Sequence, residues 1–405
     1  MTASVERTTD NGEHTGPVSD YSADVTAFRV DFRKYLETVD WPEWSSAAFE
    51  SAEDQMAFDA TVMARLFADG WNRWGWPVEA GGLGGGELHR AAYYEELGRA
   101  MLPIPAQHWT LETLGPALIK FAPQLAGTHL VGYLNGTEWW GQCFSEPEAG
   151  SDLAALRTRA VADGDGFVVN GQKIWTSQGP TARRLLALVR TGEAESRHRG
   201  LTMMMIDADA PGVTIRPIAL ASGRRELAEV FFEDVVVPAD RLVGEVGGGW
   251  AVAMYLMQFE RGMYGHAVLN KTLTELGRLR ADMLSHGSSQ AERERFARTL
   301  IDVTAARART ATTVRALAAG EAVGPQSSVD KLLFGTAEKA VNDLVLDLRR
   351  PWMIAGVDGG GAVELDTARA EWWYSRAATV MGGTVEVQRG IIADHLLELP
   401  KERRA

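Results

Sequence analysis

The segment Gln142–Asp152 reads QCFSEPEAGSD and is the most informative stretch of this chain. It combines the flat ring of Phe144 with the hydroxyls of Ser145 and Ser151, next to the small residue Gly150. Small residues let backbone N–H groups approach an anion closely, and hydroxyls can donate hydrogen bonds to a pyrophosphate. The same composition is also common in surface turns that follow a strand, so the segment alone leaves both interpretations open.

A second segment, Asn170–Gly179, reads NGQKIWTSQG and places Trp175 two residues before Ser177. A tryptophan at the end of a strand could cover one face of a planar ring, and the neighbouring hydroxyl could bind that ring's polar edge. The alternative is a tryptophan buried in the core.

On both sides of these segments the residue pattern changes, which predicts an α+β fold in three parts. Residues 21–136 are predicted to form a helical domain, as in Asp54–Phe67, where apolar residues form one stripe. Residues 137–246 are predicted to form an antiparallel β domain, with a hairpin in Arg157–Val169 around an Asp-Gly-Asp-Gly turn. Residues 1–20 are polar and are predicted to be a disordered tail.

Residues 247–405 are predicted to be helical. Trp250–Phe259 is apolar on almost every side, so a deeply buried helix is expected there. Amphipathic helices are predicted near 295–319, 328–348 and 385–397. Glu226 lies just before the predicted strand Val230–Val237 and is expected to be solvated.

Composition excludes several classes of protein. The formal charge of −13 argues against binding to nucleic acid, which requires clustered Lys and Arg. The single cysteine, Cys143, cannot form an intrachain disulfide, and the histidines lack a metal-binding spacing, so no metal site is predicted. No apolar run approaches the roughly 20 residues of a membrane helix, and no secretory signal is evident. A soluble cytoplasmic protein is expected.

Four motifs in order resemble the acyl-CoA dehydrogenase family. They are GWPVEAGG at 75–82, SEPEAGSD at 145–152, NGQKIW at 170–175 and GGTVEVQR at 382–389. The resemblance implies FAD as cofactor and a C-terminal four-helix bundle that mediates assembly into a homotetramer or heterotetramer. It also implies flavin contacts from both sides of the site, at Phe144, Ser145, Gly150, Ser151, Trp175, Ser177, Thr384 and Glu386.

The resemblance also predicts the catalytic base. Many family members carry a Glu immediately before the Gly-Thr of the last motif, where this chain has Gly382. Other members carry it on the first long helix of the C-terminal domain, in a Glu-Arg pair that matches Glu260 and Arg261. Glu260 follows an apolar run, so burial could raise its basicity; the alternative is an ordinary exposed or ion-paired Glu. The resemblance gives Gly382 an oxyanion-binding backbone role and places Ser151 and Arg261 near the substrate.

Two segments depart from the family pattern. The Arg-x-Phe-Gly sequence that contacts a neighbouring subunit's flavin is not recognisable between Leu284 and Arg298. The Gln-x-x-Gly-Gly loop is replaced by residues Ala355–Gly360.

Three hypotheses therefore stand. The first is an acyl-CoA dehydrogenase of fatty acid or steroid catabolism that passes electrons to an electron-transfer flavoprotein. The second is a subunit that completes a partner's flavin site. The third is a flavin oxidase or hydroxylase on the same scaffold.

Overall fold

A computed structural model describes residues 21–39, 51–355 and 362–400. The predicted tail and most of the Ala355–Gly360 segment lie outside these residues. The first part of the chain is helical, as predicted, and its helices are α1 (Ala23–Thr38), α2 (Ala52–Ala68), α3 (Glu87–Arg99), α4 (Gln107–Phe121) and α5 (Pro123–Leu134). Helix α3 is buried along most of its length because α1 covers one side of it and the C-terminal helices cover another.

The middle part is one eight-stranded sheet. Its strands are β1 (Trp140–Cys143), β2 (Arg159–Asp163), β3 (Gly166–Ser177), β4 (Arg184–Arg190), β5 (Leu201–Asp207), β6 (Val213–Ile218), β7 (Leu227–Pro238) and β8 (Leu242–Val243). The order is β6-β7-β3-β1-β4-β5-β8, and β2 pairs with both β3 and β4. The sheet is largely antiparallel, as expected, and β2 and β3 form the predicted hairpin. Strand β4 pairs in parallel with β1 and β2, because the hairpin between β1 and β4 lets the chain return in the same direction.

The last part begins with α6 (Gly249–Phe259), a π-helical turn (Glu260–Tyr264) and α7 (Gly265–His286). It continues with α8 (Gln290–Ala318), α9 (Ser327–Ala355), α10 (Ala362–Ser375) and α11 (Val385–His395). Helices α7, α8, α9 and α10 pack against one another as the expected bundle. Among the described residues, no helix is both long enough and apolar enough to cross a bilayer.

The prediction that the Trp250–Phe259 helix is deeply buried is correct for only part of its surface. Val252, Leu256 and Phe259 are buried, but Met254 is 39% exposed. Helix α6 packs against α4 and against strand β5, and the side that carries Met254 is left partly exposed. Apolar composition predicted the helix, and the position of the sheet determined which of its sides is buried.

Candidate functional site

A buried ion pair holds the start of the SEPEAGSD loop. Lys173 Nζ lies 2.9 Å from Glu146 Oε1 and donates a hydrogen bond to the Phe144 carbonyl at 3.0 Å. The Glu146 carboxylate also accepts from the backbone N–H groups of Arg157 and Thr158. Burial alone would raise the pKa of Glu146, but Lys173 and these donors bring it below its usual range. Sequence reasoning missed this role of Glu146 and Lys173, although both lie inside the quoted motifs.

The ring of Phe144 is buried in the core, so only its backbone faces the loop. Ser145 is half-buried, and its carbonyl accepts from the Ile174 N–H at 2.9 Å. This hydrogen bond joins the loop to the end of β3. As a result, Ser145 lies beside the segment that carries Trp175.

Trp175 lies at the end of β3 with 53% of its surface exposed, so the alternative of a core tryptophan is wrong. Its φ of +61° is in the left-handed region, which is costly for a bulky residue and is most often found at functional sites. Ser177, two residues later, is half-buried and pairs with Gln142 of β1. An indole held in a strained conformation and left open to solvent is suited to cover a flat ligand.

The tip of the loop, including Gly150 and Ser151, is exposed. Behind it, the buried Arg190 donates to the carbonyls of Ala154 at 2.8 Å and Leu156 at 2.9 Å. Buried cations thus hold both ends of the loop, Lys173 at its start and Arg190 at its end. The exposed tip is therefore available to a ligand while its ends are fixed.

Glu260 is the first residue of the π-helical turn. Such turns widen a helix locally and are frequent at functional sites. Two glycines allow neighbouring helices to approach here: a Cβ at Gly262 would meet Thr313 at 2.8 Å, and one at Gly265 would meet Phe334 at 2.6 Å. The absence of a side chain at both positions therefore brings α8 and α9 close to the turn that carries Glu260.

The carboxylate of Glu260 lies against Gly382. A Cβ added to Gly382 would collide with Glu260 Oε1, so the missing side chain at this position creates the space that the carboxylate occupies. Glu260 is half-buried, and its Oε2 is buried without a hydrogen-bond partner among the described residues. Glu260 is thus not fully exposed and makes no described ion pair, which argues against the alternative of an ordinary exposed or ion-paired Glu.

Two cationic side chains lie near Glu260. Arg261 points elsewhere, since it donates a hydrogen bond to Ser328 at 3.4 Å and makes no described ion pair with Glu260. Lys331 is buried, and its Cε would lie 3.4 Å from a Cβ at Gly382. Burial lowers the pKa of Lys331, while the carboxylate charges of Glu260 and Glu338 oppose that change. Lys331 thus lies near the candidate base, where its charge interacts with that of Glu260, a proximity that sequence reasoning missed.

Thr384 and Glu386 lie just after Gly382, at the start of α11. The Thr384 hydroxyl accepts from the Val387 N–H at 3.2 Å and caps the helix, whereas the Glu386 side chain is exposed. The structure therefore brings Glu260, Gly382 and Thr384 into one region. It brings Phe144, Ser145, Trp175 and Ser177 into another, with Gly150 and Ser151 at the loop tip between β1 and β2. No described hydrogen bond or ion pair joins the two regions directly.

Ion pairs do connect the bundle with the end of the sheet. Glu371 of α10 lies 2.7 Å from Lys271 of α7 and 3.0 Å from Arg224, in the loop between β6 and β7. These two cations lower the pKa of Glu371 to about 2, although burial alone would raise it. The carbonyl of Glu226 accepts from the N–H of Gln178, the residue after β3. This route holds the end of β3, beside Trp175, against the helices that follow Glu260.

The prediction that Glu226 is solvated is wrong. Its Oε1 is buried without a described hydrogen-bond partner, and burial raises the pKa of its carboxyl. The helices α7 and α10 cover this loop, and no local sequence pattern reports that contact.

Comparison with known proteins agrees with this arrangement. Three family models match the chain: the acyl-CoA dehydrogenase N-terminal domain at residues 22–124, the middle domain at 141–235 and the C-terminal domain at 247–397. Acyl-CoA dehydrogenase IpdE1 of Mycobacterium tuberculosis is 39% identical over 365 residues, which cover 88% of this chain and 90% of the relative. Its namesake from Mycolicibacterium smegmatis is 35% identical over 87% of this chain and 90% of the relative.

Solved structures give the same result. The steroid ACAD Tcur3481-Tcur3483 superposes with a TM-score of 0.77 at 26% identity, over 95% of this chain and 99% of that one. The ChsE4-ChsE5 complex from Mycobacterium tuberculosis superposes with a TM-score of 0.76 at 25% identity, over the same shares. Three matched domains in the family's order, together with these relatives, show that this chain belongs to the acyl-CoA dehydrogenase family, whose members are flavoprotein oxidoreductases.

Proposed function

We propose that this protein is an FAD-dependent dehydrogenase that oxidises an acyl-CoA thioester between its α and β carbons, with Glu260 as the base. The observation that supports this most directly is the Glu260 carboxylate, which has a buried, unpartnered oxygen and lies against Gly382. Many family members carry their catalytic carboxylate at the position of Gly382. In this chain the carboxylate of Glu260 occupies the space that a side chain at Gly382 would fill.

The reaction removes one proton and one hydride. The α C–H bond breaks, its proton goes to Glu260, and its electron pair forms the new C=C bond. The β C–H bond breaks with both electrons leaving as hydride. FAD, when bound, supplies the hydride acceptor. A carboxylate with one buried oxygen that has no described hydrogen-bond partner suits the proton step, because that oxygen is free to accept the α proton.

The residues around Trp175 fit a flavin. The indole presents a large exposed apolar face, and Ser145 and Ser177 offer hydroxyls beside it. The exposed loop tip at Gly150 and Ser151 can receive a charged or polar group with its backbone N–H donors. Thr384 and Glu386 would contact the cofactor from the C-terminal side. We assign the flavin to these residues, with Phe144 contributing its backbone.

The thioester would lie between Glu260 and the flavin. We assign its carbonyl oxygen to a backbone N–H near Gly382, an oxyanion-binding role that polarises the α C–H bond. Ser151 and Arg261 are proposed to contact the substrate, and an electron-transfer flavoprotein is proposed to reoxidise the cofactor. Because one solved relative, Tcur3481-Tcur3483, is described as a steroid ACAD, ring-bearing acyl groups are the first thioesters to assay.

The test is Glu260→Gln, with Glu294→Gln as control on an exposed turn of α8. Both variants should bind FAD with wild-type stoichiometry. Anaerobic addition of thioester should bleach the flavin of the wild type and of the control. Glu260→Gln should bleach at least about 100-fold more slowly, because the general base alone contributes about 10² to 10⁴ in rate. Bleaching of Glu260→Gln at the wild-type rate would refute the assignment.

A second candidate is a subunit that shares its flavin site with a related chain. Two solved relatives, Tcur3481-Tcur3483 and the ChsE4-ChsE5 complex, are each named as a pair, which favours a heteromeric assembly as the alternative to a homotetramer. Purification of this chain alone distinguishes the two proposals. A yellow protein with one FAD per chain supports the first proposal, and a colourless chain that gains FAD only with a related subunit supports the second.

A further inference from the structure

Gly382 and Gly383 form a turn between the end of α10 and the start of α11. Their φ values are +66° and +95°, both in the left-handed region, where glycine alone is unstrained. Two consecutive glycines in this region have little intrinsic rigidity. Because the turn lies against Glu260, something must hold its peptide planes if the base and the thioester are to meet in a fixed geometry.

The side chain of Gln388 holds this turn. Its Nε2 donates to the Gly382 carbonyl at 3.2 Å and to the Gly383 carbonyl at 3.3 Å. Gln388 is fully buried one turn into α11, and its own N–H donates to the Thr384 carbonyl at 2.9 Å. A Cβ on Gly383 would collide with Gln388 Nε2, as a Cβ on Gly382 would collide with Glu260. The turn therefore lies between the candidate base on one side and this amide on the other.

The chemistry of these contacts requires an amide. Both partners of Nε2 are carbonyl oxygens, so the donor end of the side chain must face them. A carboxylate of the same shape would face two acceptors without a proton to donate. A protonated carboxyl could donate once and restore half of the contact.

We propose that Gln388 is a positioning residue that orients the Gly382–Gly383 peptides toward the thioester and keeps Gly382 against Glu260. The proposal rests on the proposed function for its catalytic consequence. The hydrogen bonds that carry it do not depend on bound flavin. Gln388 lies within the GGTVEVQR motif and was not among the residues predicted from the sequence to form the site.

The decisive variant is Gln388→Glu, with Gln124→Glu as a matched control at the exposed first turn of α5. At pH 8 the carboxylate of Gln388→Glu should repel both carbonyls and lower kcat about tenfold or more, the effect of one or two lost hydrogen bonds. As the pH falls to 6, kcat relative to wild type should recover severalfold, because the new carboxyl becomes protonated. KM should change less than kcat, and the control should match wild type at both pH values.

Hydrogen exchange gives a measurement that is independent of activity. In Gln388→Glu the amides of residues 382–384 should exchange about tenfold faster than in wild type at pH 8, with flavin-free protein as well as with holoenzyme. If wild type does not bleach with any thioester, the proposed function fails, and this measurement still tests the role of Gln388. If Gln388→Glu does not fold, Gln388→Met provides the same test without the added charge. A wild-type kcat and wild-type exchange in these variants would overturn the proposal.

Discussion

The contact between Gly382 and Glu260 makes Gly382→Ala the sharpest test of the site. The added methyl carbon would overlap Glu260 Oε1, and the carboxylate would have to retreat by about 1 Å to restore an ordinary van der Waals distance. A displacement of that size at a reacting group costs on the order of 100-fold in rate. The left-handed φ of +66° adds a conformational cost of about 1–2 kcal/mol to folding.

The expected result is therefore a large loss of rate with a small loss of stability. Gly382→Ala should lower kcat about 100-fold, whereas its melting temperature should fall by only a few degrees. The assay is single-turnover flavin reduction with a saturating thioester, combined with calorimetry of the same samples. Gly390→Ala is the matched control, since it lies nearby within α11, has ordinary φ and has open space around its added Cβ. It should keep full activity.

A double-mutant cycle tests whether the loss acts through Glu260. Glu260→Asp shortens the side chain by one methylene and moves the carboxylate away from the position of the added methyl. The two changes share one contact, so their effects should not be additive. Gly382→Ala should cost about tenfold or less in the Glu260→Asp background. Equal activity of Gly382→Ala and Gly390→Ala, or full additivity in the cycle, would refute the reasoning.

Two further predictions concern stability. Lys173→Met leaves Glu146 charged and buried, so its free energy of unfolding in denaturant should fall by about 3–5 kcal/mol and its FAD binding should weaken. The control Arg157→Ala breaks only an exposed ion pair with Glu148 and should lower the free energy of unfolding by at most about 1 kcal/mol. Equal losses in the two variants would contradict the role of the buried pair. Asp59 is buried and accepts from the Ala106 N–H, and burial raises the pKa of its carboxyl to about 7. Because its pKa is higher in the folded protein than in the unfolded chain, Asp59 stabilises the folded state most below about pH 4. That contribution to the free energy of unfolding is lost as the pH rises from about 4 to 7. The melting temperature of wild type should therefore fall relative to that of Asp59→Asn across this range, and parallel curves would show that Asp59 does not titrate as described.

The sequence predicted the candidate base but could not establish its surroundings. Glu260 was identified by its place after an apolar run and by the resemblance, yet an exposed glutamate remained an open alternative. The decisive contact is with Gly382, more than a hundred residues away in the chain. Gln388 was missed for a different reason, because the glycines it holds lie only five and six residues before it, across a turn whose geometry no periodicity encodes.

Trp175 and Glu226 show the limits of residue type as a guide. Tryptophans are mostly buried and glutamates mostly solvated, but here the tryptophan is open and the carboxylate is covered. The burial of Glu226 depends on how the helical bundle meets the end of the sheet, near Arg224 and Glu371. That packing is long-range and leaves no mark on the local pattern.

The amino-acid sequence by itself determined the α+β class, the order of helices and strands, the hairpin at β2 and β3, and the two loops that carry the family motifs. These features depend on interactions between residues close in the chain, such as hydrophobic periodicity and the preference of Gly and Asp for turns. Only the tertiary structure decided which side of α6 is buried, that Glu260 begins a π-helical turn, and that its carboxylate fills the space beside Gly382. Those outcomes depend on which surfaces pack together. Packing brings together residues that are far apart in the chain, and local sequence patterns do not predict such contacts.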